Sequence, residues 1–290
     1  MIKKHYYSYS ILFPGLVLFS IFIIVPSLGS FFYAFTDQNH GFRWTRFVGW
    51  ENFTYIFQEE DNKLAFKNTF IFTIVTTVFK VGLGLLLALL VNRALKLSVY
   101  LRAMLFFPAI LSSLAVALAF TAILHPSRGL LNESLRFVGL DSLTASWLTD
   151  PHIVMYSISM VEVWKWTGFT MALLLAGLQS IPKETLESAR IDGANSWKQF
   201  RYITLPLLSP VLNTAILLNL IGGLKVFDVV YALTGGGPGN ASNVMNTIIF
   251  KNFAAGRNGE ANANSVVLFL IVAIIVLVTN HLLRRTEKGH

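Results

Sequence analysis

Long apolar stretches separated by shorter polar connections are the main pattern along this chain of 290 residues. A helical crossing of a bilayer core about 30 Å thick needs about 20 mostly apolar residues. Six stretches reach that length, so we expect an all-α integral membrane protein with six transmembrane helices in a single domain over residues 1–290. The predicted spans are approximately residues 11–35, 66–91, 103–124, 153–178, 207–233 and 266–283.

Composition supports a membrane protein and excludes several other classes. Hydrophobic residues make up 54% of the chain, charged residues 13%, and the mean hydropathy is +0.59, values too apolar for a soluble globular domain. The chain has no cysteine, so disulfides, cysteine-ligated metals and cysteine nucleophiles are excluded. The net charge of +8 is spread over the connections and forms no basic patch, so we expect no nucleic-acid partner.

The distribution of basic residues predicts the orientation. Of the 23 lysines and arginines, twelve fall in the short connections on one side and eight in the longer connections on the other. The positive-inside rule places the richer side in the cytoplasm, and with it both termini and residues 181–206. The first apolar stretch is too long for the h-region of a signal peptide and shows no small-residue cleavage site, so we expect it to be retained as a helix.

The polar segment at residues 181–206 has the pattern of two short helices joined by a turn. Charges three and four residues apart predict a helix from Lys183 to Ile191. Gly193 suits the positive-φ position that ends such a helix, and a second helix is expected from Ser196 to about Tyr202. Pro206 is expected to open the following span, because the missing N–H is tolerated there.

The same segment resembles the EAA loop of ABC importer permeases, whose pattern is E-A-A-x3-G-x9-I-x-L-P. Seven positions match, with Ser188 in place of one alanine, and the flanking runs ARIDGA and ITLPLL are similar to the carbohydrate-uptake branch, the maltose and glycerol-phosphate permease type. The resemblance implies a type I ABC importer-like fold in which this loop is a cytoplasmic coupling helix that docks on an ATPase. The residues assigned to coupling are Glu187, Ser188, Ala189, Arg190, Asp192, Gly193, Ile203, Leu205 and Pro206.

Ionisable residues occur at or near membrane depth, where each costs about 2.5 to 3.5 kcal/mol on insertion scales and therefore tends to face a pore or a partner. They are Lys80, Glu162, Lys165, Lys225 and Asp228. Glu162 with Lys165, and Lys225 with Asp228, are each three residues apart, so each pair could neutralise itself along one helix face.

Two helix faces carry candidate solute-binding groups. On the fourth span a carboxylate, an ammonium group and two aromatic rings occur at i, i+3, i+4 and i+7, a combination that suits a polar, ring-bearing solute. On the fifth span an amide, two glycines and a valine have the same spacing. In the maltose-type permeases the sugar site lies on these two faces, although several residue types here differ. The candidate lining residues are Glu162, Lys165, Trp166, Phe169, Asn219, Gly222, Gly223 and Val226.

Other interpretations of these faces remain open. The charges on the fourth span could neutralise each other while the helix packs against a partner permease, or they could extend towards lipid headgroups. The glycines of the fifth span could admit solute or only permit close helix packing.

The run LTGGGPG after the fifth span cannot continue a helix. No Lys-Ser/Thr follows and no strand precedes, so a nucleotide site is not expected. The run resembles the loop with which the same permease family contacts a solute-binding protein, and a plain turn is the alternative. The candidate contact residues are Gly235, Gly236, Gly237 and Pro238. The aromatic-rich connection 36–65 is expected to form an interfacial belt with a short surface helix, and it is a second candidate for receiving the binding protein.

These observations predict a transport subunit with neither a catalytic constellation nor a metal or cofactor site, because no HExxH, Walker or Ser–His arrangement is present. The resemblance implies three partners: a cytoplasmic ABC ATPase dimer, a second homologous permease and an extracellular or periplasmic solute-binding protein. It also implies location in the bacterial inner membrane and import of a sugar or oligosaccharide. Alternatives are a permease for a phosphorylated polyol or another polar solute, and a secondary transporter driven by an ion gradient, for which no internal repeat is seen.

Overall fold

The computed structural model describes residues 12–38, 45–92 and 98–288, and within these ranges every regular element is helical apart from an isolated bridge between Thr36 and Phe47. The predicted start of the first span at Ile11 and five of the basic residues counted for orientation lie outside the described residues: Lys3, Lys4, Arg43, Arg93 and Lys96. The helices are α1 (Phe13–Phe19), α2 (Val25–Tyr33), α3 (Glu51–Gln58), α4 (Glu60–Val91), α5 (Ser98–Ile110), α6 (Ser113–Ile123), α7 (Leu130–Phe137), α8 (Val154–Gln179), α9 (Lys183–Ile191), α10 (Ser196–Gln199), α11 (Leu205–Leu224), α12 (Asp228–Thr234), α13 (Met245–Ala254) and α14 (Asn258–Lys288).

Four continuous helical stretches within the described ranges are long and apolar enough to cross a membrane: Phe13–Tyr33, Glu60–Val91, Ser196–Leu224 and Asn258–Leu283. The predicted third span is a bent pair, Val99–Ile110 with Ser113–Ile123, which meet at 96° and would make a fifth crossing. The helix α8 occupies the predicted fourth span, has 26 residues and is about 39 Å long. Its polar side chains lower its hydropathy, and it is not among the four stretches above. The total of six spans therefore stays a prediction.

Two predicted spans are broken in the structure. The third span breaks after Ile110, where Pro108 lies in the last turn of α5 and Ser112 takes an extended conformation. The fifth span was expected to run to residue 233, but α11 ends at Leu224 and α12 begins at Asp228. Hydropathy averaged over a span does not reveal such breaks, because the helices on both sides of each are mostly apolar.

The chain divides into two compact units. The first contains residues 1–62 and 248–270. Within it, the hydroxyl of Ser30 on α2 donates to Oδ1 of Asn262 on α14 at 2.6 Å, and the Asn52 amide donates to the carbonyls of Ala34 and Thr36 at 2.8 Å each. The predicted short helix in the 36–65 connection is α3. The hydrogen bonds of Asn52 hold the start of α3 against the end of α2.

The second unit contains residues 63–247 and 271–290, and it carries the residues assigned to coupling, to solute lining and to the glycine-rich turn. Its core includes an apolar cluster where α6, α8 and α12 meet and another where α4, α8 and α11 meet. The helices α5 and α8 pack backbone to backbone, since a β-carbon at Gly168 would overlap the carbonyl of Leu105. Close contacts of this kind place α8 at the centre of the unit, with α4, α5 and α11 against it.

Candidate functional site

A cavity of about 370 Å³ opens inside the second unit, where α4, α6, α8 and α11 approach the break between α11 and α12. Its wall combines charged groups, aromatic rings and an amide. The lining residues are Lys80, Ser113, Glu162, Trp166, Phe169, Leu218, Asn219, Gly222, Lys225, Val226, Phe227, Asp228 and Val229.

Three of the four residues predicted on α8 line this cavity. Glu162, Trp166 and Phe169 lie on one helix face, as their i, i+4 and i+7 spacing predicted. The rings of Trp166 and Phe169 are 6.0 Å apart at an interplanar angle of 87°. Because the two rings are nearly perpendicular, they can contact different faces of one bound molecule.

Lys165, the fourth residue, does not line the cavity. Its side chain is buried, and Nζ donates to Oγ of Ser113 at 2.6 Å. Ser113 is the first residue of α6, directly after the 96° bend, so this hydrogen bond fastens α8 to the start of α6. Lys165 therefore serves a contact between helices, and the i+3 spacing that grouped it with Glu162 does not bring it into the cavity.

The fifth span supplies three of its four predicted residues. Asn219, Gly222 and Val226 line the cavity, and the Asn219 amide donates to the Thr170 hydroxyl of α8 at 3.2 Å. Gly223 faces α4 instead, where a β-carbon would lie 2.9 Å from Cα of Thr73. Gly222 therefore lines the cavity, whereas Gly223 permits close packing of α11 on α4.

Lys80 on α4 is the lining residue that sequence reasoning left without a role. Its Nζ lies 3.5 Å from Oε1 of Glu162, and the two side chains are only 4% and 12% exposed. The sequence had offered Lys165 as the neighbour of Glu162. The only available signal was Lys80 itself, an ionisable residue at membrane depth, and nothing in the sequence identified its partner on another helix.

The second predicted charge pair, Lys225 with Asp228, spans the break between α11 and α12. Both residues line the cavity, but the helical i+3 relation that suggested the pair does not apply across a break. The backbone carbonyl of Lys225 accepts a hydrogen bond from the Asn246 amide at 2.8 Å. This contact helps to fix the conformation of the break.

The 181–206 loop forms the predicted helix and turn. The helix α9 ends in two nested backbone hydrogen bonds. They run from Gly193 N–H to the Arg190 carbonyl at 3.1 Å and from Ala194 N–H to the Ala189 carbonyl at 2.9 Å. Gly193 has φ of 80°, a conformation that glycine adopts without a steric penalty. The side chain of Asn195 then caps α10 by accepting from the Lys198 N–H at 2.9 Å.

The second arm of this loop differs from the prediction. The helix α10 does not stop near Tyr202 but continues through a π-helical segment, Phe200–Thr204, directly into α11. Pro206 therefore lies inside a continuous helix, next to a π-helical stretch that accommodates its missing N–H. The arm and the following span form one stretch of 29 residues, Ser196–Leu224.

Most of the residues assigned to coupling lie on the surface of this loop. Glu187, Ser188, Arg190 and Asp192 are exposed, Ala189 is buried, and the residues at positions 203, 205 and 206 are half-buried. Two large apolar side chains are also open, with Ile191 87% and Trp197 68% exposed. A helical turn that exposes apolar side chains among charges has the composition of a protein-binding surface.

The glycine-rich run 235–238 forms an ordered turn. The Ser242 hydroxyl donates to the Gly237 carbonyl at 2.6 Å, and its oxygen lies 2.7 Å from the Thr234 hydroxyl. Gly236 is buried, whereas Gly237 and Pro238 are half-buried. The turn therefore presents only part of its predicted contact surface.

Comparison with known proteins identifies what this arrangement is similar to. The sequence profile described as "Binding-protein-dependent transport system inner membrane component" matches residues 80–288. The probable ABC transporter permease protein YurN of Bacillus subtilis is 34% identical over 273 residues, which is 93% of each chain. The trehalose/maltose transport system permease protein MalF of Thermococcus litoralis is 34% identical over 271 residues, 93% of this chain and 91% of that one. A chain of a bacterial alginate ABC transporter, solved in complex with an alginate pentasaccharide-bound periplasmic protein, has a TM-score of 0.85 at 28% identity and covers 97% of this chain and 94% of its own.

Proposed function

This chain belongs to the family of binding-protein-dependent transport system inner membrane components, and from this premise we propose that its central cavity holds a sugar or oligosaccharide during ATP-driven import. The chain is an integral inner-membrane permease of the sugar ABC importer type and is a transport subunit, not an enzyme. Family membership implies a solute-binding protein and an ATPase as partners. The relatives named for trehalose, maltose and alginate support a saccharide as the solute.

The chemistry of the cavity wall carries the proposal. Sugar rings have apolar C–H faces that stack on aromatic rings, and their hydroxyls need hydrogen-bond partners. Trp166 and Phe169 of α8 supply the rings, while Glu162 of α8 and Asn219 of α11 supply polar groups. A volume of about 370 Å³ lies within the usual range for small-molecule sites.

The surface of the 181–206 loop supports contact with an ATPase dimer in the cytoplasm. Its exposed charges and the open side chains of Ile191 and Trp197 provide a mixed polar and apolar surface on a turn that is held by backbone hydrogen bonds. The proposed orientation places both chain termini on the same side as this loop. Closure of the ATPase dimer would then move the loop and, through the continuous helix, the wall of the cavity.

Two further partners complete the proposed assembly. A second homologous permease would close the cavity, which is open in this chain alone, and a solute-binding protein would deliver the solute at the turn that contains Gly235, Gly236, Gly237 and Pro238. Pro238 is the half-buried side chain of that turn and offers the contact.

Reconstitution of the whole assembly in proteoliposomes tests the proposal. ATP hydrolysis is measured with the binding protein and a panel of neutral saccharides, acidic saccharides and phosphorylated polyols. We expect saccharides to stimulate hydrolysis and uptake, and Trp166→Ala to raise the concentration that gives half-maximal uptake without lowering the abundance of the assembly. A response only to phosphorylated polyols, or uptake driven by an ion gradient without ATP, would contradict it.

Phosphorylated polyols are the second candidate because two lysines, Lys80 and Lys225, line the cavity. Two acids, Glu162 and Asp228, line the same wall, so the formal charges of the four groups cancel. A site for a phosphate dianion would be expected to keep excess positive charge. The balance of charges therefore favours the saccharide.

A further inference from the structure

Lys80 occupies a position from which its charge cannot reach water along its own helix. It is 3% exposed and lies eleven residues before the end of α4 at Val91, about 16 Å along the helix axis and farther than a lysine side chain extends. A buried charge in such a position needs a counter-charge. Glu162 supplies it from α8 at 3.5 Å.

The contact between the two side chains uses one oxygen of the carboxylate. Lys80 Nζ is bonded to Oε1 of Glu162, and the same glutamate lines the cavity. An ionised carboxylate only accepts hydrogen bonds, and each oxygen has two lone pairs. Because the ammonium group contacts Oε1 at 3.5 Å, Oε2 can accept from a molecule inside the cavity.

Packing of α4 against two neighbouring helices fixes the position of Lys80 along the helix axis. Seven residues before it, Thr73 packs against Gly223 of α11, where a β-carbon would lie 2.9 Å from the threonine Cα. Four residues after it, Gly84 packs against Thr170 of α8, where a β-carbon would lie 3.0 Å from the threonine methyl group. Because α4 is wedged between α8 and α11, the ammonium group holds the carboxylate at one place in the cavity.

We propose that Lys80 is a positioning residue that orients the Glu162 carboxylate towards the hydroxyl groups of the solute, and that the site therefore selects a neutral saccharide with unmodified ring hydroxyls over an acidic one. This inference rests on the proposed function, because it assigns a role to Lys80 within the saccharide site. The charge of the ammonium group is balanced by Glu162, and the carboxylate is the acceptor that this side of the cavity offers the solute. A hydroxyl donor fits that acceptor, and a solute carboxylate is repelled by it.

A purely structural pair makes a different prediction. If Lys80 and Glu162 only neutralise each other, their joint replacement by neutral side chains of similar size leaves the affinity for solute unchanged. If Lys80 orients Glu162, the joint replacement still removes the oriented acceptor. The double variant Lys80→Met/Glu162→Gln tests whether the pair is purely structural, and it avoids the unpaired buried carboxylate that the single Lys80→Met change leaves. The comparison of Lys80→Met with Lys80→Arg tests whether a cation at position 80 positions the carboxylate.

The experiment measures uptake and solute-stimulated ATP hydrolysis by the reconstituted assembly, normalised to its abundance. The variants are Lys80→Met, Lys80→Arg and the double variant, and Lys67→Met serves as the control, since Lys67 is an exposed lysine on the same helix. The solutes are a neutral saccharide that stimulates the wild-type assembly, its O-methylated analogue and a uronate-containing saccharide. If no saccharide stimulates the wild-type assembly, the proposed function fails before Lys80 is tested.

With an active wild type, we expect the double variant to raise the half-saturating concentration of the neutral saccharide by about tenfold or more, the size expected for losing an oriented hydrogen bond to a charged group. The maximal rate should change less. Lys80→Arg should retain most of the wild-type affinity, and Lys67→Met should match the wild type. The O-methylated analogue should bind the wild type and the double variant equally weakly. Wild-type half-saturation in the double variant, or a wild-type preference for the uronate that Lys80→Met removes, would overturn the inference.

Discussion

The turn at Gly193 allows a graded test of the 181–206 loop. No atom lies within 4 Å of the position a β-carbon would take, so a substitution there acts through the backbone and not through a clash with neighbours. An L-residue pays about 1–2 kcal/mol for the left-handed conformation that φ of 80° requires, and asparagine pays less than alanine. Proline cannot adopt this φ and also removes the N–H that donates to the Arg190 carbonyl, which together cost about 3 kcal/mol or more.

These energies are large relative to the stability of the turn itself. The helix α9 has nine residues and buries only Ala189, and an isolated helix of that length is marginal in water. A cost of about 1–2 kcal/mol therefore lowers the ratio of formed to unformed turn by about 5- to 30-fold. We expect coupling to decrease in the order glycine, asparagine, alanine, valine, proline.

The assay compares solute-stimulated ATP hydrolysis, uptake and copurified ATPase for the Gly193 series at equal membrane abundance. Glu187→Lys serves as a surface variant that leaves the backbone intact while reversing an exposed charge, and we expect it also to uncouple transport. Wild-type uptake by Gly193→Pro at normal abundance would refute the reasoning. Equal defects in Gly193→Asn and Gly193→Pro would show that loss of the glycine matters for a reason other than its φ.

Two further predictions concern packing. Gly223→Ala should lower the melting temperature by several degrees, because its β-carbon would lie 2.9 Å from Cα of Thr73 and overpacking costs about 1–3 kcal/mol. The matched control is Gly222→Ala, whose β-carbon would have no atom within 4 Å. This control should keep the melting temperature and raise the half-saturating solute concentration. Equal melting temperatures would contradict this assignment. Asn132→Ala should make the connection between α6 and α8 more sensitive to limited proteolysis, since the buried amide accepts from the Trp147 indole at 2.8 Å and its loss leaves that N–H without its acceptor; unchanged cleavage kinetics would refute this.

The sequence was sufficient for the local features of this protein. The helix α9 and the turn at Gly193 could be predicted because a capping glycine, charge spacing and the EAA pattern are all local, and both are confirmed. The predicted end of the second helix near Tyr202 is wrong, because the chain continues helically into α11. The apolar stretches likewise predicted the helices that fill the second unit. The ends of spans were less predictable, because α4 and α14 extend several residues beyond their apolar portions.

The cavity could be predicted only in part, since it depends on how helices pack. Helical periodicity correctly grouped Glu162, Trp166 and Phe169, because their spacing sets a common face. It could not show that Glu162 pairs with Lys80 from another helix, or that Lys165 turns to Ser113. Those contacts depend on the relative height and rotation of neighbouring helices, which small residues such as Gly168 determine through close packing.

The uninterrupted helix from Ser196 to Leu224 has a mechanical consequence. Asn219 lies 23 residues beyond Ser196, which is roughly 35 Å along the axis. If this stretch pivots as a stiff rod about its base, a tilt of about 5° moves Asn219 sideways by about 3 Å, comparable to the length of a hydrogen bond. An angular change of this size at one end is thus enough, by leverage alone, to break the Asn219 contact with Thr170 at the other.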